Sequence, residues 1–313
     1  MLHTFHIPVL GIGYSIDTPV KVARFGISSV ISIMDDQLIE KMSAYHAQQA
    51  GKSYTPIGDK EYDHRARRIT AYLNLIDEIV NEQTENLRQL PFDGKSEISK
   101  YFDLQPEGAA ERKIYQKMMA MDDGEAKQNI QTKLRAKIAP GAIDVNIMSK
   151  IDRLNTDENG NLLPADHSDA LAALRGFANS TVSSSVIFSA GYNPRLYNYI
   201  EQFPDFYPDK SGHLKKKIIL KVSDYRSALV QGKIFAKKGL WVSEFRIESG
   251  LNCGGHAFAT DGLLLGPILS EFRDKRADLA TELFSLYSAA NAEKGNHTSP
   301  DVPAMKITAQ GGI

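Results

Sequence analysis

Seven short apolar runs recur along this chain, and most hand over to a stretch whose apolar residues repeat at helical spacing. That alternation constrains the fold more than any other feature. A strand followed at once by a helix can meet the next strand only side by side, in a parallel sheet. The runs are Ile7–Gly13, Ser29–Met34, Ala142–Met148, Ser185–Ser189, Lys217–Val222, Trp241–Ile247 and Ala304–Ala309. Between them, Thr18 reads as a cap with Pro19 at the first helical position, and Gly26 as the stop of that short helix. Asp35-Asp36 opens a helix with Leu38, Ile39 and Met42 on one face. Further helices are expected over Ser168–Ala178, Asn193–Ile200, Ala228–Lys237 and Leu263–Ala292. Seven strand–helix steps suit a (β/α)8 barrel better than an open doubly wound sheet of about six strands. The fold class expected is therefore α/β, of the TIM-barrel type. The eighth strand is lacking from this chain, so the expectation is the front part of a longer protein.

From Gly51 to Ile138 the texture changes: charges dominate and helical spacing replaces alternation. Ile69, Tyr72, Leu73, Ile76, Ile79 and Val80 form the stripe of one long helix. Ile98, Phe102 and Leu104 mark a shorter helix, as do Ile114, Met118 and Met119, and another spans Glu125–Ile138. The reading is a barrel made of residues 1–50 and 139–313, with 51–138 as a helical insertion. If Leu38–Gln49 is the second barrel helix, the insertion lies away from the chemistry and suits a homo-oligomer contact. If Glu125–Ile138 is that helix, the insertion is a lid or a carrier-protein docking surface over the barrel mouth. The second is preferred, because that helix leads directly into the third strand.

Composition removes several function classes. The formal charge of −1 leaves no basic field for nucleic acid or an anionic bilayer. Lys215–Lys217 and Lys237–Lys238 are short runs that read as solvated. Cys253 is the single cysteine, which excludes an internal disulfide and a Cys-rich metal site and fits a reducing, cytoplasmic setting. The first residues lack the basic-then-apolar pattern of a signal peptide, and no apolar run is long enough to span a membrane. Asn155–Gly160 reads as a turn, since the terminal glutamate of a calcium loop is missing; no metal site is expected.

The chemistry is expected where strands end. Ile247–Asp261 holds Gly254, Gly255 and His256 beside Cys253. Adjacent glycines let a backbone approach a flat ligand, and a histidine there can exchange a proton near neutral pH; alternatively it only caps the next helix. Other strand ends carry Gly11-Ile12-Gly13, Asn146, Lys221 and Gly311-Gly312. In a barrel these ends share one mouth, and phosphate commonly binds near the last two strands. A planar ring laid there needs small residues beneath it and donors at its edge, for which Asn146 and Lys221 are suited.

The order of these motifs resembles the flavin-dependent nitronate monooxygenase group, formerly 2-nitropropane dioxygenases, which includes flavin-containing enoyl reductases. Ser249-Gly250-Leu251-Asn252-Cys253-Gly254-Gly255-His256 is similar to that group's Gln-Gly-x-Glu-Ala-Gly-Gly-His. Val145-Asn146 resembles its strand-three Val-Asn, and the segment Pro303–Ile313 its Pro-Val-Ile-Ala-Ala-Gly-Gly-Ile with one extra residue. The Thr-Pro helix start after the first strand is also similar. The chain departs at Asn252 and Cys253, where the group has Glu and Ala, and after His256, where Ala-Phe replaces Arg-Gly. The resemblance implies an FMN oxidoreductase acting on a small-molecule or acyl substrate. The flavin phosphate would lie near Gly311-Gly312 and His256 would be the acid/base. Two rival readings remain. One is a flavin-free aldolase or lyase barrel using Lys221 as a Schiff-base lysine. The other is a non-catalytic scaffold docking a partner through residues 51–138.

Overall fold

The computed structural model of the chain describes residues 3, 6–9, 14–149, 152–157, 159–248, 265–296 and 301–310. The strands are β1 His6–Ile7, β2 Ser28–Ser32, β3 Ile143–Asn146, β4 Ser185–Phe188, β5 Lys217–Val222, β6 Val242–Glu248 and β7 Lys306–Gln310. The helices are α1 Thr18–Val22, α2 Asp36–Gln49, α3 His64–Gln89, α4 Glu97–Asp103 and α5 Ala110–Met119. They continue with α6 Glu125–Lys137, α7 Asp169–Ala178, α8 Pro194–Tyr199, α9 Tyr225–Ala236 and α10 Leu265–Lys294. The seven strands stand in the sheet in sequence order, β1 through β7. The fold is α/β with TIM-like strand order. No helix among the described residues is long and apolar enough to cross a membrane.

The chain divides into two compact units. The first comprises Met1–Ser32, Gln37–Pro56 and Ala71–Asp144. In it β1 pairs in parallel with β2, His6 opposite Ser28 and Ile7 opposite Ser29. Gly26 stops the first helical segment as expected, with φ of 76°. Thr18 does not cap it: Thr18 is itself helical, and its hydroxyl turns back to the Tyr14 carbonyl at 3.4 Å. Asp17 holds the cap position, but its carboxylate is taken by Lys21 at 2.8 Å. The backbone of Gly141 lies against that of Ile27, so closely that a Cβ would stand 2.1 Å from the Ile27 carbonyl.

Helices α4, α5 and α6 enclose a core of Leu87, Ile98, Tyr101, Phe102, Tyr115, Met118, Leu134 and Ile138. Tyr115 stacks on Phe102 with ring centroids 5.3 Å apart. Tyr115 thus takes the inward position expected of Ile114, which is 45% exposed, while Met118 is buried as expected and Met119 packs against the core. Leu104, also expected inside, lies just past the end of α4 and is exposed. The six-residue stripe expected for α3 is buried throughout.

The second unit comprises Ile33–Asp36, Ile57–Thr70 and Val145–Ile313. Here β3 to β7 form consecutive parallel pairs. One sheet face carries Leu220, Val222, Phe245 and Ile247, all buried. On the helix side α9 packs on α10, and Gly232 of α9 lies so close to Leu283 that a Cβ would stand 2.9 Å from its methyl group. Gly176 lets α7 approach the first turns of α3 in the same way, with Ile69 2.6 Å from where a Cβ would be. Where a turn is expected, the Asp157 carboxylate accepts the amides of Asn159 and Asn161 at 2.9 Å, and the Asp157 carbonyl accepts the Gly160 amide at 3.1 Å.

One charge run departs from expectation. Lys215 and Lys217 are exposed, but Lys216 between them is 0% exposed. Alternation just before β5 turns the middle lysine inward, where its ammonium donates to the carbonyls of Phe177, Ser180 and Val182 and to the Ser180 hydroxyl.

Candidate functional site

The second sheet face of the Val145–Ile313 unit carries charged and polar side chains on β5, β6 and β7. In β6, Glu244, Arg246 and Glu248 alternate with Phe245 and Ile247, so the charges share one side. The register extends that side across neighbouring strands. Asn146 stands opposite Ile187, Ile187 opposite Ile219, and Ile219 opposite Glu244. Lys221 is opposite Arg246, which faces Thr308, and Glu248 faces Gln310. Parallel sheets normally bury apolar residues on both faces, so this concentration of charge needs a reason beyond packing.

Two ion pairs organise the face, and they differ in construction. Glu244 accepts three bonds on one carboxylate oxygen, from Arg246 Nε at 2.9 Å, Arg246 Nη2 at 2.8 Å and Thr308 Oγ1 at 2.7 Å. The Arg246 side chain is 6% exposed and that of Glu244 11%. Such saturation suits a structural pair, in which the cost of desolvating the charges is offset by several short bonds. One step nearer the strand ends, Lys221 Nζ lies 2.7 Å from Glu248 Oε1, with side chains 13% and 15% exposed. An ammonium has three donors, and this contact uses one.

Asn146 ends β3 and is 1% exposed, while its own carbonyl accepts the Ile33 amide at 3.1 Å. Two strand spacings and two residues along the strand put its Cα roughly 12 Å from that of Lys221. The intervening strand ends are tied together. Ser149 Oγ accepts the Ser189 amide at 2.8 Å, and Asp152 accepts Asn193 Nδ2 at 3.1 Å and Arg195 Nη2 at 3.0 Å. Between Asn146 and Ser149, Met148 adopts φ of 50°, a left-handed conformation that costs on the order of 1 kcal/mol for a side-chain-bearing residue. After β5, Asp224 caps α9 through the Ser227 amide at 2.7 Å and accepts the Ser223 hydroxyl at 2.6 Å.

No protein-family model matches the chain, and no curated protein matches it.

Of the residues expected at the site, the fold brings Asn146 and Lys221 onto one face near strand C-termini. Gly11, Ile12, Gly13, Gly254, Gly255, His256, Gly311 and Gly312 lie outside the described residues, as does Cys253. Glu244, Arg246, Glu248 and Thr308 were missed because β6 reads first as an apolar run. The signal was present: Glu-Phe-Arg-Ile-Glu alternates strictly over 244–248, and Lys-Ile-Thr-Ala-Gln does so over 306–310.

Proposed function

We propose that the chain is an FMN-dependent oxidoreductase on a (β/α)8-type barrel, with the flavin across the strand C-termini. The observation that carries this reading is that Asn146 and Lys221 stand on one face of the sheet, toward its strand C-termini. That face offers an amide and an ammonium, with two strand spacings between them, as donors to the edge of a planar polar ring. Bound there, FMN would supply the hydride or electron transfer. The chain's own part is to orient the ring through Asn146 and Lys221, to accept the phosphate at Gly311-Gly312, and to move a proton at His256. The substrate is a small molecule or an acyl group, in line with the nitronate monooxygenase and enoyl reductase resemblance. Residues 51–138 serve as a lid, a carrier-docking surface or an oligomer contact.

The Schiff-base alternative is less well served by the geometry. A lysine attacks a carbonyl as the free amine, whereas Lys221 is engaged as the donor of an ion pair.

The test is the absorption spectrum of the purified protein after incubation with FMN and desalting. Retention of the two visible-region bands of oxidised flavin is expected; a colourless protein would remove the cofactor from the reading. His256→Ala is expected to keep the bands while slowing turnover of an alkyl nitronate on the order of a hundredfold. Unchanged turnover would take His256 out of the mechanism.

A further inference from the structure

The two ion pairs of the polar face are unequal, and the inequality points to how the face handles a ligand. Arg246 and Glu244 are locked by three bonds converging on one oxygen, with Thr308 completing the set. Lys221 and Glu248 are joined by one contact of 2.7 Å, are about twice as exposed as Arg246, and stand at the C-terminal ends of adjacent strands. Ligands of parallel α/β sheets bind at that end. A lysine, unlike an arginine fork, is a compact charge on a flexible stem that changes partners without a fixed geometry.

We infer that Glu248 is an internal competitor for the anion site of this face: its carboxylate occupies Lys221 and yields it to the phosphate or carboxylate of an incoming small molecule. On exchange no covalent bond forms; one oxygen anion replaces another at Nζ. Lys221 is thereby kept from standing as a buried, uncompensated charge between ligands, which would be costly. The inner pair does not take part, because Arg246 is held by two bonds to a carboxylate oxygen that Thr308 also shares. The carboxylate acts as a charge on affinity: while the pair is closed the site is not competent, and apparent affinity falls by the competent fraction. The inference rests on the strand-end face being the ligand site, not on the ligand being a flavin.

The test is calorimetric titration of the full chain and its variants with FMN, riboflavin, inorganic phosphate and acetate. Glu248→Gln keeps the side-chain shape and removes the competing charge. It is expected to bind inorganic phosphate about tenfold more tightly than the parent. The gain is expected to vanish in Glu248→Gln combined with Lys221→Met and to persist in combination with Lys221→Arg. Circular dichroism of each variant confirms that folding is intact. A gain for acetate alone would support the exchange with a carboxylate ligand. A gain for phosphate with no flavin bound by any variant would uphold the exchange and defeat the flavin reading. Weaker or unchanged anion binding by Glu248→Gln would overturn the inference. So would no anion binding by any variant.

Discussion

Replacing Lys216 by methionine tests the chain at its most unexpected residue. Methionine keeps most of the apolar stem and removes the ammonium. The parent side chain, 0% exposed, donates to the carbonyls of Phe177 and Ser180 at 2.9 Å and of Val182 at 2.6 Å. Its nitrogen also lies 4.3 Å from the Phe177 ring centroid. These carbonyls belong to the last turn of α7 and the chain leaving it, where helix carbonyls lack partners and a cation is favoured. Phe177 would keep the Ser180 amide at 3.1 Å and the Ser180 hydroxyl at 2.7 Å, so its loss is small. The Ser180 and Val182 carbonyls would each lose a charge-assisted donor in a buried place, at roughly 1–3 kcal/mol apiece. Against that, the variant no longer desolvates an ammonium, which offsets part of the loss. The expected net destabilisation is about 3 kcal/mol. With a urea slope of about 2 kcal/mol/M, the midpoint would fall by roughly 1.5 M. The assay is fluorescence-detected urea unfolding. Trp241 is the single tryptophan, is 2% exposed and lies in the same compact unit. A variant as stable as the parent, or more so, would refute the argument: desolvating the charge would then cost more than its bonds return.

Three further outcomes follow from the same structure. Gly141→Ala is expected to destabilise the chain by about 3 kcal/mol, because the new Cβ meets backbone atoms of Ile27 at 2.1 Å rather than a side chain that can swing aside; a thermal melt within a degree of the parent would contradict this. His46 is 6% exposed, and burial holds its pKa below the ordinary 6.5 despite Asp17 at 3.7 Å, with Lys21 adding to the lowering and Tyr45 and Tyr72 packed on the ring. The unfolded chain therefore binds the proton more readily, so this contribution is full above pH 6.5 and is lost as pH falls through the lower folded value. His46→Asn should show a flatter stability profile between about pH 7 and 5, and an unchanged slope would count against it. Gly176→Ala should loosen α7 from the first turn of α3, since Ile69 at 2.6 Å and the Ala66 carbonyl at 2.9 Å block the added methyl; amide exchange along α7 is the readout, and unaltered protection would show that the helices tolerate the shift.

The sequence by itself determined the local elements. Period-two apolar runs and 3.6-period stripes report which face of an element is buried, and both are properties of a few consecutive residues. Thus seven strands were legible, as were the buried stripe of α3 and the Gly26 stop. Element ends were less so, because caps depend on which of several adjacent polar groups finds a better partner: Asp17 is engaged by Lys21 and Thr18 enters the helix. Tertiary structure alone decided which charges are inside. Lys216 looks like its exposed neighbours until the end of α7 presents three carbonyls to it. Lys221 and Glu248 are 27 positions apart, and become a pair only when β5 and β6 settle into register. A charge is tolerated in a low-dielectric interior according to the partners that distant segments bring to it, and no local pattern encodes those partners.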